Sequence, residues 1–152
     1  MTIEDDIAFL EGIAFLRRLG RPALRILAIG VESYRVESGQ VLFNAGDPAD
    51  GAYIVQHGSF LLAAPRTDAV VAGPGTLLGE SALLAETERP ATATARENSV
   101  VMRLSRAMFL KMLEGYPDAA ARLRDVIAAR ASEWARDIEN VRAALRENSK
   151  PR

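Results

Sequence analysis

Gly79, Glu80 and Arg89 are the residues of this chain whose types and spacing suit ligand chemistry. They lie in LLGESALLAETERPATAT, residues 77 to 94. A glycine at 79 lets the backbone approach a ligand more closely than a bulkier residue would. The segment from Ser81 to Leu84 has the length for one helical turn, whose free N–H groups face an anion. Arg89 carries a planar, permanently charged fork that matches a phosphate. Glu80 accepts hydrogen bonds only, so it calls for hydroxyl or N–H donors. One anionic group beside hydroxyls satisfies both demands, which points to a sugar phosphate or a nucleotide. The plainer reading of Arg89 is a surface side chain pairing with Glu86 or Glu88, a contact worth little. For Glu80 it is a carboxylate favoured by a helix N-terminus.

The order glycine, glutamate, any residue, alanine, leucine, a gap, arginine and small residues ending in threonine resembles the phosphate-binding cassette of the cyclic nucleotide-binding domain family. Gly79, Glu80, Ala82, Leu83, Arg89, Ala91 and Thr92 carry the resemblance. It implies that Arg89 contacts the cyclic phosphate and that Glu80 accepts from the ribose 2′-hydroxyl or orients Arg89. It also implies that Gly79, Ser81 and Ala82 offer backbone N–H groups. Pro90 departs from the pattern, since the family usually has alanine, serine or threonine after the arginine. Proline offers neither an N–H nor a hydroxyl, and one lost charge-assisted bond costs roughly 1.5–3 kcal/mol. The hydroxyl missing at Pro90 is associated with cGMP preference in some members, so cAMP is favoured over cGMP. Leu78 stands where the family usually has phenylalanine.

The elements that must position these residues follow from the patterning. Ile3, Ile7, Leu10, Ile13 and Leu16 recur at helical spacing, with a start at Thr2, Asp5 and Asp6. Gly20-Arg21-Pro22 breaks that helix and opens a second one ending at Gly30. A basic, apolar helix pair suits a membrane surface, but packing of its apolar face on the domain is the preferred reading. From Val31 the period shortens, and apolar segments alternate with turns at Gly39, Gly46, Gly51, Gly58, Gly73 and Gly75. Close-spaced short strands point to an all-β barrel or roll. The phrase NAGDPADGAYIVQHGSF resembles the strand, loop and hairpin of the family's β-roll. ATATARENSVVMRLS predicts two more strands around Glu97-Asn98, and Ser105 suits the N-cap of a helix ending at Gly115.

The last element, roughly 118 to 147, has no internal glycine or proline. Ile127, Ala131, Trp134, Ile138, Val141 and Leu145 make a stripe with a period near 3.5, which argues for a partner helix. At 1.5 Å per residue it would run roughly 40–45 Å, so a homodimer through this helix is the simplest expectation. The helix resembles that of catabolite-activator-type proteins, and the chain stops at Arg152 where they continue into a helix-turn-helix. The start at Met1 and the tail after Leu145 point to a complete protein. Trp134, the one tryptophan, is either a lid stacking on the base or a dimer-core residue; both readings stay open. Arg130, one turn earlier, is read as solvent-facing.

The expected fold class is α+β: a double-stranded β-helix (β-roll, jelly-roll-like) with N-terminal helices and a long C-terminal helix. The organisation is one domain over 1–152, with helices over 1–30, a roll over 31–104 holding a cassette at 78–92, and helices over 105–148. A chain of 152 residues that is 49% apolar and 26% charged suits one soluble domain. A formal net charge of −1 gives no support to a general nucleic-acid or membrane surface. The chain has no cysteine, which removes disulfides and thiol catalysis. The acidic start lacks a signal pattern, so the cytoplasm is expected. His57 offers a metal no partner in sequence, and Asp47 and Asp50 read as turn formers. GPGTLLGES lacks the end of a P-loop, and no catalytic set is visible. The expected function is a cyclic nucleotide sensor, not an enzyme, whose C-terminal helices close over the roll. No direct DNA or membrane contact is expected, and the downstream protein is open. The alternatives are a non-binding dimeric adaptor of the same fold, or a regulatory fragment of a larger channel, kinase or transcription factor.

Overall fold

A computed structural model describes residues 2–129 of the chain. Trp134, Arg130 and most of the long last helix lie outside the described residues.

Thr2 caps α1 (Ile3–Glu11) with a capping box: its hydroxyl accepts from the Asp5 N–H while the Asp5 carboxylate accepts from the Thr2 N–H. The single helix expected through Leu19 is instead two. The break falls at Gly12-Ile13, before a short α2 (Ala14–Arg17). With the chain turned there, Ile13, Phe15, Leu16 and Leu19 are all buried. One straight helix would spread Phe15 and Leu19, together with the buried Ile7, Leu10, Ile13 and Leu16, around its circumference. α3 (Arg21–Gly30) starts with proline in its first turn and buries Ala23, Leu24, Leu27 and Ala28.

The strands form two four-stranded antiparallel sheets. One has the order β1 (Glu32–Val36), β10 (Ser99–Ser105), β4 (Gly51–His57), β7 (Leu77–Leu78); the other runs β2 (Val41–Phe43), β9 (Thr92–Ala95), β5 (Phe60–Ala63), β6 (Val70–Ala72). A small ladder pairs β3 (Pro48–Ala49) with β8 (Thr87–Glu88). The hairpin expected around Gly58 is not one. β4 and β5 belong to different sheets, so the chain crosses between them at that turn. Gly58 has φ +85°, and a Cβ there would lie 2.1 Å from Ser99 Oγ, so only glycine fits the crossing. β9 and β10 likewise sit in different sheets on either side of Glu97-Asn98.

This winding creates two cores. Ala52 and Ile54 of β4, with Met102 and Leu104 of β10, face outward and are covered by α1, α2, α3 and α4 (Arg106–Gly115). Val55 and Val101 alternate to the other side and meet Phe60, Ala72, Ala93 and Ala95 between the sheets. β4 and β10 are therefore buried on both faces, which is why AYIV and VVMRL read as nearly unbroken apolar runs. Ser105 caps α4 by accepting from the Met108 N–H. A further helix occupies residues 117–129 of the described part, and its Ala119 and Leu123 join the helical core. The fold is α+β, a jelly-roll-like β-roll with helices at its N-terminal end and after its last strand.

Candidate nucleotide-binding site

The cassette is a bridge between the sheets, running from the end of β7 to the start of β9. The expected helical turn is a 3₁₀ turn, Glu80–Leu83, introduced by Gly79 in the left-handed conformation with φ +80°. Ala82 and Leu83 are buried, Leu83 in the helical core, while Glu80 is half-buried and Ser81 exposed. The turn is thus pinned by its apolar half.

Arg89 is held by its backbone from two sides. Its N–H donates to the Asp47 carbonyl and its own carbonyl accepts from the Gly46 N–H, each at 2.8 Å. The Asp47 carboxylate accepts from the Asn44 N–H, which confirms Asp47 as a turn former. The same turn is tied to the end of the cassette, where the Ala45 N–H donates to Thr92 Oγ1 at 2.9 Å. Asp50 has a further role, accepting from Arg103 Nη2 at 2.6 Å.

The Arg89 side chain is only 5% exposed. Its Nη1 has no hydrogen-bond partner, alone among the buried side-chain nitrogens and oxygens of the described residues. Burial pulls its pKa below the ordinary arginine value, opposed by Tyr53, Asp50 and Asp47 and assisted by Arg103; arginine stays charged regardless. The surface pairing with Glu86 or Glu88 is not observed. In its place the guanidinium carbon lies 4.5 Å from the ring centre of Phe43 and 5.4 Å from that of Tyr53. The two rings are stacked on each other, 5.9 Å apart. Gly79 is what makes room: a Cβ at that position would sit 2.3 Å from Arg89 Nη1. An unpaired buried cation costs several kcal/mol and an unpaired polar group is rare in folded proteins. An anion accepting from Nη1 would meet this unsatisfied donor.

Pro90 is exposed, directly after Arg89, and Ala91 is half-buried beside it. Of the residues expected at the site, Gly79 and Arg89 are in direct proximity, and Ala82 is fully buried. Sequence reasoning missed Phe43 and Tyr53, which come from different sheets. It also missed Arg106. That side chain donates through Nη1 to the carbonyl oxygens of Ala49, Ala82 and Ala85, each at 3.0 Å. A cation in the first turn of a helix opposes the helix dipole, and that was the signal available in the sequence. His57 stands apart, exposed on an open groove of about 440 Å³ lined by Asp6, Ser33, Tyr34, Arg35, Gln56 and Val100. No cluster of histidine, aspartate and glutamate suited to a metal ion occurs among the described residues. No helix among them is long and apolar enough to cross a membrane.

A jelly-roll-like β-roll with a glycine-initiated turn beside a buried arginine is the architecture of the chain. The family follows from comparison: the cyclic nucleotide-binding domain model matches residues 34–116, more than half of the chain. The chain belongs to that family. A cyclic nucleotide-binding-like protein from Brucella abortus is 37% identical, covering 72% of this chain and 98% of that one, with a TM-score of 0.64. The N-terminal domain of a transcriptional regulator from Streptomyces coelicolor A3(2) reaches a TM-score of 0.77 at 25% identity, covering 86% of this chain and 94% of that one. An uncharacterized NTE family protein of Mycobacterium tuberculosis is 34% identical over 109 residues, 71% of this chain. The match spans 19% of that mycobacterial protein's length.

Proposed function

We propose that this chain is a cyclic nucleotide sensor that takes the cyclic phosphate on Arg89 and the ribose on Glu80. The observation that carries the proposal is the buried, unpartnered Nη1 of Arg89, kept open by Gly79. Gly79 and Ser81 supply backbone N–H groups, whereas the Ala82 N–H, expected from sequence to do the same, is committed to the Gly79 carbonyl at 3.0 Å; Ala91 lines the far side. cAMP is the favoured ligand over cGMP, because Pro90 lacks the hydroxyl associated with cGMP preference in some family members. The role is binding and regulation, and the proposed compartment is the cytoplasm.

The output runs through α4. Arg106 begins this helix and grips the carbonyls of Ala82 and Ala85 in the cassette, so a ligand that shifts the cassette also loads α4. Only a difference in affinity between two arrangements can drive such a change. Closure of the C-terminal helices over the base, a lid or dimer-core role for Trp134, and a homodimer through the last helix belong to this proposal on sequence grounds. A second reading places the chain as the regulatory portion of a larger protein. The small share of the mycobacterial relative that it matches favours that context, and the site works the same way in either.

Thermal melting with excess cAMP or cGMP tests the proposal. A ligand at 100 times its dissociation constant adds about 2.7 kcal/mol, which for a chain of this size is a rise of several degrees. No shift with either nucleotide at millimolar concentration would favour the non-binding adaptor.

A further inference from the structure

Resting on the nucleotide reading of the site, we infer that Phe43 and Tyr53 are positioning residues that aim Arg89 at the phosphate. Phe43 ends β2 of one sheet and Tyr53 lies in β4 of the other. Their rings stack at 5.9 Å with an interplanar angle of 25°. The Arg89 guanidinium carbon lies over both, at 4.5 Å and 5.4 Å from their centres.

A buried arginine is ordinarily steered by a carboxylate, which occupies the N–H groups that steer it. Here the steering is done by ring faces. A ring attracts the cation through its quadrupole and accepts no in-plane hydrogen bond. The rings therefore leave the in-plane N–H groups of the fork uncommitted by the residues that hold it, and Nη1, packed against Gly79, has no hydrogen-bond partner. A carboxylate at either ring position would compete with the phosphate; a ring does not. The two-sheet origin of the rings also ties the direction of Arg89 to the spacing of the sheets at this end. The stacked rings hold that spacing, and Gly79 leaves the guanidinium the room to lie flat.

The test uses Phe43→Leu, Tyr53→Leu and the ring-preserving Tyr53→Phe, each checked for a cooperative melt. Calorimetric titration with cAMP should give a loss of roughly 3- to 30-fold for each leucine variant, the equivalent of one desolvated cation–π contact. Tyr53→Phe should bind like the wild type, because Tyr53 acts through its ring face. In the ligand-free protein, the Arg89 Nε–Hε proton signal should be displaced by ring current, and Tyr53→Leu should move it toward the ordinary arginine position. Leucine variants that bind as tightly as the wild type would overturn the inference. So would an Arg89 signal that Tyr53→Leu leaves in place. A wild-type protein that binds no cyclic nucleotide would sink the nucleotide reading, and the ring-current shift would then decide by itself whether the rings hold Arg89.

Discussion

The helical end and the cassette treat the same side chain in opposite ways. At the helical end Arg21 pairs with Glu4 and Glu11, and Arg25 pairs with Glu4, all of them exposed. In the cassette Arg89 is buried, packed on two rings, and leaves a nitrogen unpartnered. Water screens the first group, so its pairs contribute little. Burial removes that screening from the second, so the unmet bond at Nη1 is a cost carried by the ligand-free fold. The difference separates arginines that decorate a surface from one retained for a ligand. It also marks where stability and function should pull apart.

The largest effect is expected at Arg89. Arg89→Met keeps the stem and removes the charge, and should weaken cAMP binding by about a hundredfold or more, read by titration calorimetry. That corresponds to about 3 kcal/mol, the scale of a charged hydrogen-bonding group left without its partner. Any of the exposed helical-end arginines changed in the same way should leave affinity unaltered. Pro90→Ala works in the other direction. If the missing N–H limits the site, restoring it should tighten binding by roughly ten- to a hundredfold, and an unchanged affinity would mean that Pro90 is not the limiting residue.

Arg106→Ala comes next. Removing a charged donor shared by three carbonyls should lower stability by about 1.5–3 kcal/mol, visible as a fall in the melting midpoint. The cassette should also loosen, so amide exchange should speed up at Leu84 and Ala85. The smallest effect is expected at the helical end. Hydrogen bonding and charge from Arg25 hold the Glu4 carboxyl below its ordinary pKa, and the Thr2 N–H does the same for Asp5. Folded values below the unfolded ones mean that the contribution is present at neutral pH and is lost as pH falls through the carboxylate range. Arg25→Ala should therefore differ slightly from the wild type in melting at pH 7, and the difference should vanish by about pH 3.

Local chemistry made much of this readable in the chain. Thr2 with Asp5, Pro22 in a first turn, and Ser105 before a helix act within four residues of themselves, and each behaves as its type demands. Gly79, Glu80 and Arg89 could be proposed for one site because only eight residues separate the last two. What stayed hidden was long-range. The sheet to which a strand belongs is decided by packing on both faces, so the crossing at Gly58 looked like a hairpin. Phe43 and Tyr53 each read as ordinary apolar strand residues, since nothing in sequence tells that strands of two sheets converge on one guanidinium. The break at Gly12-Ile13 was masked by apolar spacing that continues in register through it.

The central claim is that Arg89 is an unsatisfied charge held for an anion. Ligand-free melting of Arg89→Met against the wild type tests it most directly. The account expects the variant to melt higher without ligand, by a few degrees for about 1 kcal/mol recovered, and to gain nothing from cAMP while the wild type rises. A variant that melts clearly lower without ligand, or that is still stabilised by cAMP, would contradict it.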